Sequence, residues 1–161
     1  MEKHAFNIAI DGPAGAGKST IAKLVAKKLD FIYVDTGAMY RAIALYLLRS
    51  GVDTADEAAV SEAVKNADIT ICYRDGAQQV ILNGEDVSGL IRTEEVGNTA
   101  SAVSVYPAVR AHLLELQRSL AASRNVIMDG RDIGTCILET LKQIVYDTLN
   151  FDVPAVKVKD N

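Results

Sequence analysis

Several residue types are scarce or missing in this chain of 161 residues. It has no Trp, three Pro and two Cys, and aromatic side chains make up 6% of it. So little proline, without a Gly-X-Y period, excludes a collagen-like chain, and a hydrophobic content of 49% excludes a disordered one. Cys72 and Cys136 lack the paired spacing of zinc sites and redox motifs. We predict that both are reduced thiols in the core of a cytoplasmic protein.

The chain also lacks an excess of positive charge and a long apolar run. Its 17 Lys and Arg residues stand against 21 Asp and Glu residues, for a net charge of −4. General nucleic-acid binding needs a basic surface, so this balance argues against it. The longest uninterrupted apolar run, Ala42–Leu48, has seven residues, whereas a membrane-spanning helix needs about 20. Met1–His4 leads into a strand-like segment without the apolar region of a signal peptide. We predict a cytoplasmic protein with no nucleic-acid and no membrane partner.

What the chain does have is a regular alternation of strand and helix patterns. Short apolar runs closed by turn residues alternate with segments in which apolar residues recur every three or four positions. The predicted strands are Ala5–Ile10, Phe31–Val34 and Asn125–Met128, and the predicted helices are one from Lys18, Met39–Arg49, Thr54–Asn66, Thr93–Val105 and Pro107–Ser123. Strand, helix, strand, helix in this order predicts an α/β fold with a parallel sheet and flanking helices.

The middle of the chain has a different pattern. Three short strands, Ile69–Arg74, Gln78–Leu82 and Glu85–Val87, are separated by Asp75-Gly76 and Asn83-Gly84, two residue pairs that favour tight hairpins. We predict a small three-stranded antiparallel insert. The predicted organisation is a core of residues 1–66 and 90–135, the insert at 67–89, and an atypical C-terminal segment at 136–161.

The strongest chemical signal is a glycine-rich stretch between the first predicted strand and the first predicted helix. Gly12–Ser19 fits G-x-x-x-x-G-K-[ST], the pattern of a phosphate-binding P-loop. Its glycines let backbone N–H groups surround phosphate oxygens, and the helix N-terminus adds positive potential. Lys18 would reach the terminal phosphates and the Ser19 hydroxyl would hold Mg²⁺, which predicts ATP or GTP binding. The predicted nucleotide-binding residues are Gly12, Pro13, Ala14, Gly15, Ala16, Gly17, Lys18, Ser19 and Thr20.

An acidic residue for Mg²⁺ or its bound water is expected in a P-loop protein. Asp129 follows the apolar residues of the predicted strand Asn125–Met128, the usual place for such an acid. Asp129 is also explained as an ordinary strand-ending residue, and Asp11 is either a second candidate acid or a turn former. No Asn-Lys-x-Asp tract for reading guanine is present, which favours a small kinase.

A small kinase acts mainly by positioning its substrates and neutralising their charge. An anionic second substrate therefore requires arginines directed into the cleft, because guanidinium groups bind phosphate in a bidentate manner. Arg41, Arg92, Arg110 and Arg131 lie near predicted helix starts, loops or strand ends. Isolated surface charge explains the same four residues, so the pattern alone leaves both interpretations open.

Four stretches together give a more specific indication. They are Asp11–Ser19, Tyr33–Arg41 (YVDTGAMYR), Ile91–Val96 (IRTEEV) and Asp129–Thr135 (DGRDIGT). In this order they resemble the bacterial cytidylate kinases over about residues 5–135. The resemblance implies a P-loop kinase fold, in which the three-stranded insert lies on the monophosphate side. It also implies that ATP, with Mg²⁺, donates its γ-phosphoryl group to CMP or dCMP, giving CDP or dCDP.

The same resemblance assigns the residues that act on phosphate groups. Lys18, Asp129 and Arg131 would be catalytic. Arg41 and Arg131 would grip the CMP phosphate, and the Thr36 hydroxyl would donate a hydrogen bond nearby. No covalent intermediate is expected.

The base would be read by a second set of residues implied by the resemblance. Ser101, Arg110 and Asp132 would contact the cytosine edge, and Arg92 would support the same pocket. Cytosine offers an amino donor to Asp132 and acceptors to Arg110 or Ser101, whereas uracil reverses the first preference. Apart from the resemblance, Ser101 is equally well explained as a serine on a helix surface.

Beyond Thr135 the chain departs from this resemblance. The 26 remaining residues contain no arginine, so the arginine-rich lid of the family and two sheet strands are expected to be missing. Helical spacing is followed by Ile137, Leu138, Leu141, Ile144, Val145 and Leu149, and Val153–Val158 is at most a short strand. The alternative function is a nucleotide-binding module that binds ATP and CMP without efficient turnover. Uncovered sheet surface would favour self-association. A kinase for another monophosphate is a third option.

Overall fold

The structure is a computed structural model that describes residues 6–11, 15–130, 143–147 and 157–158. Its strands are β1 (Asn7–Asp11), β2 (Ile32–Asp35), β3 (Ile69–Arg74), β4 (Ala77–Leu82), β5 (Glu85–Asp86), β6 (Val126–Gly130), β7 (Gln143–Asp147) and β8 (Lys157–Val158). Its helices are α1 (Lys18–Leu29), α2 (Thr36–Arg49), α3 (Glu57–Ala63) with a 3-10 turn at Val64–Asn66, α4 (Glu94–Val103) and α5 (Pro107–Ser123). The predicted α/β class with an antiparallel insert is confirmed.

The chain forms two compact units. The first unit is Met1–Thr36 with Gln117–Asn161, and the second unit is Gly37–Leu116. In the first unit the sheet order is β2-β6-β1-β7-β8. Strands β2, β6, β1 and β7 run parallel, and β8 is antiparallel to β7. Parallel strands place their carboxyl ends at one edge, where α/β proteins bind ligands.

The core of the first unit lies between this sheet and α1. Ile8 and Ile10 of β1 and Ile127 of β6 form a cluster with Ala22 and Ala26 of α1. The two alanines are buried, whereas longer side chains on α1 such as Leu24 are exposed. Small residues on the buried face let the helix lie close to the sheet.

A buried asparagine closes the opposite, amino-terminal end of the sheet. The Asn7 Nδ2 group donates to Ala121 O at 2.8 Å, and Asn7 Oδ1 accepts from the backbone N–H of Val126 at 3.2 Å. Asn7 is fully buried. If its side chain were replaced by an apolar one, both partners would lose their hydrogen bond without gaining one to water. Asn7 therefore joins β1 to both β6 and the end of α5.

We predict that Asn7→Leu, which keeps the branching at Cγ, replaces the polar atoms by larger methyl groups and removes both hydrogen bonds, destabilises the protein by about 2–4 kcal/mol. Urea unfolding followed by circular dichroism measures this change. The matched control is Asn98→Leu on the exposed surface of α4, which should change stability by no more than about 0.5 kcal/mol. Equal effects of the two substitutions would contradict the role of the buried hydrogen bonds.

The second unit contains the three-stranded antiparallel sheet, ordered β3-β4-β5. Ile69 pairs with Leu82 and Arg74 with Ala77, so β3 and β4 form a tight hairpin. Asp75 and Asn83, the first residues of the two predicted turn pairs, have φ values of 54° and 48°. Positive φ at such positions is the geometry of hairpin turns whose twist matches that of the strands.

Several element boundaries differ from those predicted. The structure starts α2 at Thr36 rather than Met39, directly after β2. It starts α3 at Glu57 rather than Thr54, because the Asp56 carboxylate accepts from Ala59 N and caps the helix. Helix α4 begins at Glu94, since Thr93 is its N-cap. Capping side chains bind the first turn from a non-helical position and therefore define where a helix begins.

Two expectations from the sequence are wrong. Ile144 and Val145 belong to β7, which pairs in parallel with β1, so the helical pattern does not hold for them and one strand expected to be missing is present. Consecutive apolar residues fit a helix or a buried strand, and pairing with β1 decides between the two. Cys72 is exposed, because it alternates with Ile71 and shares a face of β3 with Thr70 and Arg74.

Other predictions concern the C-terminal segment, which the structure describes only in part. The short strand expected within Val153–Val158 is present as β8, Lys157–Val158. Cys136 lies outside the described residues, and so do four of the positions with helical spacing, Ile137, Leu138, Leu141 and Leu149. Among the helices that the structure describes, none is both long and apolar enough to cross a membrane.

Candidate functional site

The glycine-rich stretch with the P-loop pattern lies between β1 and α1, as predicted. Gly15 and Gly17 have φ values of 78° and 79°, and α1 begins at Lys18. A Cβ atom at either glycine would meet no atom within 4 Å, so the left-handed backbone, rather than lack of space, requires glycine here. Gly12, Pro13 and Ala14 lie outside the described residues.

The start of α1 has the features of an anion-binding site. No side chain caps it, and its first turn contains no acidic residue. Ser19 and Thr20 are exposed and Lys18 is half-buried. Backbone N–H groups at a helix start attract anions, and the helix dipole adds to the attraction. The local geometry therefore suits a nucleotide phosphate.

Asp129 is an acidic residue at the carboxyl edge of the sheet. It lies in β6, and in the sheet register it pairs with Ile10 of β1 and Asp35 of β2. The Tyr33 hydroxyl donates to Asp129 Oδ1 at 2.9 Å. Burial raises the pKa of Asp129 above its ordinary value, the Tyr33 hydrogen bond opposes this, the charge of Asp35 raises it further and that of Lys18 lowers it. Asp129 is thus a desolvated carboxylate within electrostatic reach of the P-loop lysine.

Thr36 joins the end of β2 to the same position on β6. Its Oγ1 hydroxyl donates to Asp129 O at 2.7 Å, and the residue is buried. The resemblance implied that this hydroxyl donates towards the CMP phosphate. In this conformation its proton is directed to the protein backbone, so phosphate binding would require exchange of that hydrogen bond.

The side chains available here suit Mg²⁺ bound together with a nucleotide. Mg²⁺ prefers oxygen ligands, and proteins often hold it through one or two side chains while the phosphates and water complete the coordination. Ser19 supplies a hydroxyl and Asp129 a carboxylate. Among the residues that the structure describes, no group of three His, Cys, Asp or Glu side chains is placed to hold a metal. A metal held jointly by protein and nucleotide needs no such group.

In the second unit, Arg41 of α2 lies against α4. Its Nη1 donates to Ile91 O at 3.2 Å. A Cβ atom built on Gly97 would lie 3.0 Å from Arg41 Nη1, 3.2 Å from Nη2 and 3.4 Å from Cζ. The Ser101 hydroxyl donates to Gly97 O at 3.1 Å. Arg41 thus lies against the helix that carries Ser101, while the Ser101 bond is the usual contact of a helical serine with the carbonyl one turn earlier.

The remaining predicted substrate-binding residues are less closely connected. Arg92 is exposed and follows Ile91, whose carbonyl accepts from Arg41. Arg110 is exposed in the first turn of α5. Arg131 and Asp132 lie outside the described residues, so their assigned roles remain predictions.

Comparison with known proteins identifies the family. A family model described as cytidylate kinase matches residues 8–146. The chain belongs to the cytidylate kinase family. The match extends beyond Thr135, where the resemblance seen in the motifs ended, to include most of β7.

The relatives of this cytidylate kinase family member are similar along most of its length. It is 50% identical over 146 residues to a cytidylate kinase of Lactiplantibacillus plantarum, covering 91% of this chain and 64% of the relative. A cytidylate kinase of Carboxydothermus hydrogenoformans is 50% identical over 143 residues, covering 89% and 64%. One from Caldicellulosiruptor saccharolyticus is 54% identical over 143 residues, covering 89% and 63%. The chain thus spans under two thirds of the length of these relatives.

The sequence analysis of this cytidylate kinase family member did not identify Tyr33 and Gly97 as residues that contact the predicted site residues. Tyr33 binds Asp129, and Lys23 Nζ lies 5.5 Å from the centre of the Tyr33 ring. The only signal was that Tyr33 and Asp35 alternate onto one face of β2. Gly97 had a clearer signal, because a glycine inside a predicted helix usually has a packing or functional reason.

Proposed function

We propose that this chain acts as a cytidylate kinase, transferring the γ-phosphoryl group of ATP to CMP or dCMP to give CDP or dCDP. The observation that carries the proposal is the placement of the Arg41 guanidinium against α4, the helix that also carries Ser101. Of the residues expected to bind the CMP phosphate and the cytosine base, these two would act from α2 and α4, which touch where Arg41 lies against Gly97. The relatives, which are named cytidylate kinases, support the same substrate.

The nucleotide donor would bind at the P-loop of the first unit. Backbone N–H groups around Gly15 and Gly17 would hold phosphate oxygens, and Lys18 would neutralise the terminal phosphates. Ser19 would hold Mg²⁺ directly, while Asp129 would hold it or orient one of its water molecules. When bound, Mg²⁺ neutralises phosphate charge and orients the transferred group.

The acceptor would be bound through its phosphate and its base. Arg41 would bind the phosphate. Its Nη1 donates to Ile91 O, and within the described part of the chain no carboxylate forms an ion pair with this guanidinium. Arg131 would share this task, and Arg92 would add positive charge. Ser101, Arg110 and Asp132 would select cytosine, since a pocket built for its amino group leaves polar atoms unpaired with uracil.

A coupled assay of ADP formation with Mg·ATP and CMP, dCMP, UMP or AMP tests the proposed function, and calorimetry measures CMP binding in parallel. We expect turnover with CMP and dCMP, and little with UMP or AMP. Binding of CMP without ADP formation would replace the kinase by the nonenzymatic binding module. Faster turnover with UMP or AMP would show that the acceptor is another monophosphate.

A further inference from the structure

Gly97 occupies an unusual position on α4. It lies inside the helix, where glycine is less favourable than alanine. Its φ is outside the left-handed region, so its backbone conformation is open to any residue. The three nearest heavy atoms to a Cβ at this position all belong to the Arg41 guanidinium, at 3.0–3.4 Å. Glycine is therefore required at position 97 because any side chain would occupy the space of the Arg41 guanidinium.

The neighbouring contacts place that group accurately. Arg41 Nη1 is bound to Ile91 O at 3.2 Å, so the guanidinium has a hydrogen bond on one side and the Gly97 backbone on another. One helical turn later, Ser101 donates to the Gly97 carbonyl at 3.1 Å. The same glycine thus contacts Arg41 through its Cα side and Ser101 through its carbonyl oxygen. A side chain at this position would move the guanidinium away from α4.

We infer that Gly97 is a positioning residue that sets the place of the Arg41 guanidinium and thereby the affinity for the phosphate of the acceptor nucleotide. This inference rests on the proposed function, in which Arg41 binds that phosphate. Gly97 acts by the absence of a side chain and makes no contact with substrate itself. A planar guanidinium binds phosphate through paired hydrogen bonds, and such pairs tolerate little displacement.

The substitution Gly97→Ala tests this inference. The methyl group must displace the guanidinium by a few tenths of an ångström, and a misplacement of 1 Å at a catalytic site lowers activity by about 10²-fold. We expect the KM and the Kd for CMP to rise by about tenfold, while the KM for ATP stays unchanged. The melting temperature should stay the same or rise, because alanine favours the helix.

Two controls separate positioning from a general effect on the helix. Asn98→Ala changes the adjacent, exposed residue of α4 to the same amino acid and should leave the CMP constants at wild-type values. In an Arg41→Ala background, Gly97→Ala should have no further effect on CMP binding, because the group that it displaces is gone. A merely structural role of Gly97 would give the same loss with or without Arg41.

The outcomes distinguish the role of Gly97 from the proposed kinase function. Wild-type CMP constants in Gly97→Ala, or an equal loss in the Arg41→Ala background, would overturn the role of Gly97. Wild-type protein that binds CMP but forms no ADP would overturn the kinase function, and the Kd of Gly97→Ala would still decide whether Gly97 positions Arg41. Wild-type protein that neither binds nor phosphorylates CMP would overturn both.

Discussion

Replacing Lys18 by alanine is expected to lower the rate of phosphoryl transfer by about 10²–10³-fold while leaving CMP affinity unchanged. Removing one group that stabilises transition-state charge usually has an effect of this size. Lys18 is the first residue of α1, directly after the left-handed Gly17. Burial raises the pKa of Asp129 and the Lys18 charge opposes that rise, so Lys18 lies within electrostatic reach of the sheet edge where the phosphates are expected.

A steady-state assay of ADP formation measures this loss, and calorimetry measures CMP binding. The matched control is Lys28→Ala in the last turn of the same helix, which removes an exposed charge outside the phosphate site. Lys28→Ala should transfer phosphate at the wild-type rate. A wild-type rate of turnover in Lys18→Ala would contradict the assignment of Gly12–Ser19 as the nucleotide-binding P-loop.

The second large effect is expected from Asp129→Asn, which should weaken catalysis and stabilise the protein at neutral pH. The pKa of Asp129 is raised mainly by burial, so the folded protein favours the protonated carboxyl. The folded state then binds more protons than the unfolded state between the ordinary pKa of Asp and the raised value. Stability from this group is present below the ordinary pKa and is lost as the pH rises through the folded pKa.

Asparagine carries no charge at any of these pH values and can still accept the Tyr33 hydrogen bond. The melting temperature of Asp129→Asn should therefore exceed that of the wild type at pH 7, and the difference should shrink as the pH falls towards about 4. Transfer with Mg·ATP should fall by about 10–100-fold, the usual effect of losing a group that orients a metal or its ligands. Thermal melts from pH 4 to 8 and a Mg²⁺ titration of activity measure the two effects.

Asp30→Asn is a suitable control for this change. Asp30 is exposed and follows α1 with a φ of 55°, a conformation that Asn also adopts readily. Its melting temperature and its Mg²⁺ dependence should both match the wild type. A melting temperature of Asp129→Asn below that of the wild type at pH 7 would show that burial of the charged Asp129 carboxylate does not destabilise the protein. If its Mg²⁺ dependence is unchanged, Asp129 does not serve the metal.

Local sequence signals were enough for a large part of this molecule. Helix α5 spans Pro107–Ser123, as its periodicity predicted, and the two turn pairs of the insert adopt the expected positive φ at Asp75 and Asn83. The P-loop lies between β1 and α1 as its pattern required. In each case the information is contained within a few consecutive residues, because glycine geometry, helix periodicity and turn preference act over short distances.

The two wrong predictions concern the strand around Ile144 and the exposure of Cys72. Apolar residues around Ile144 fit two periodicities, and pairing with β1 makes them a strand. Cys72 looked like a core residue because its neighbours are apolar, yet the alternation of β3 places it on the exposed face. The strand around Ile144 is not encoded within a few adjacent residues, because pairing depends on which strands meet. For Cys72 a local signal was present, since the polar Thr70 and Arg74 lie two positions to either side of it.

The sequence by itself determined the α/β class, the P-loop pattern and the resemblance to cytidylate kinases, since each is a property of consecutive residues. Only the tertiary structure decided which groups surround them. It joined Tyr33 to Asp129 across 96 positions of sequence, and it placed the Arg41 guanidinium against Gly97. Such contacts depend on how strands and helices from distant parts of the chain pack, and packing is decided by the whole set of buried side chains.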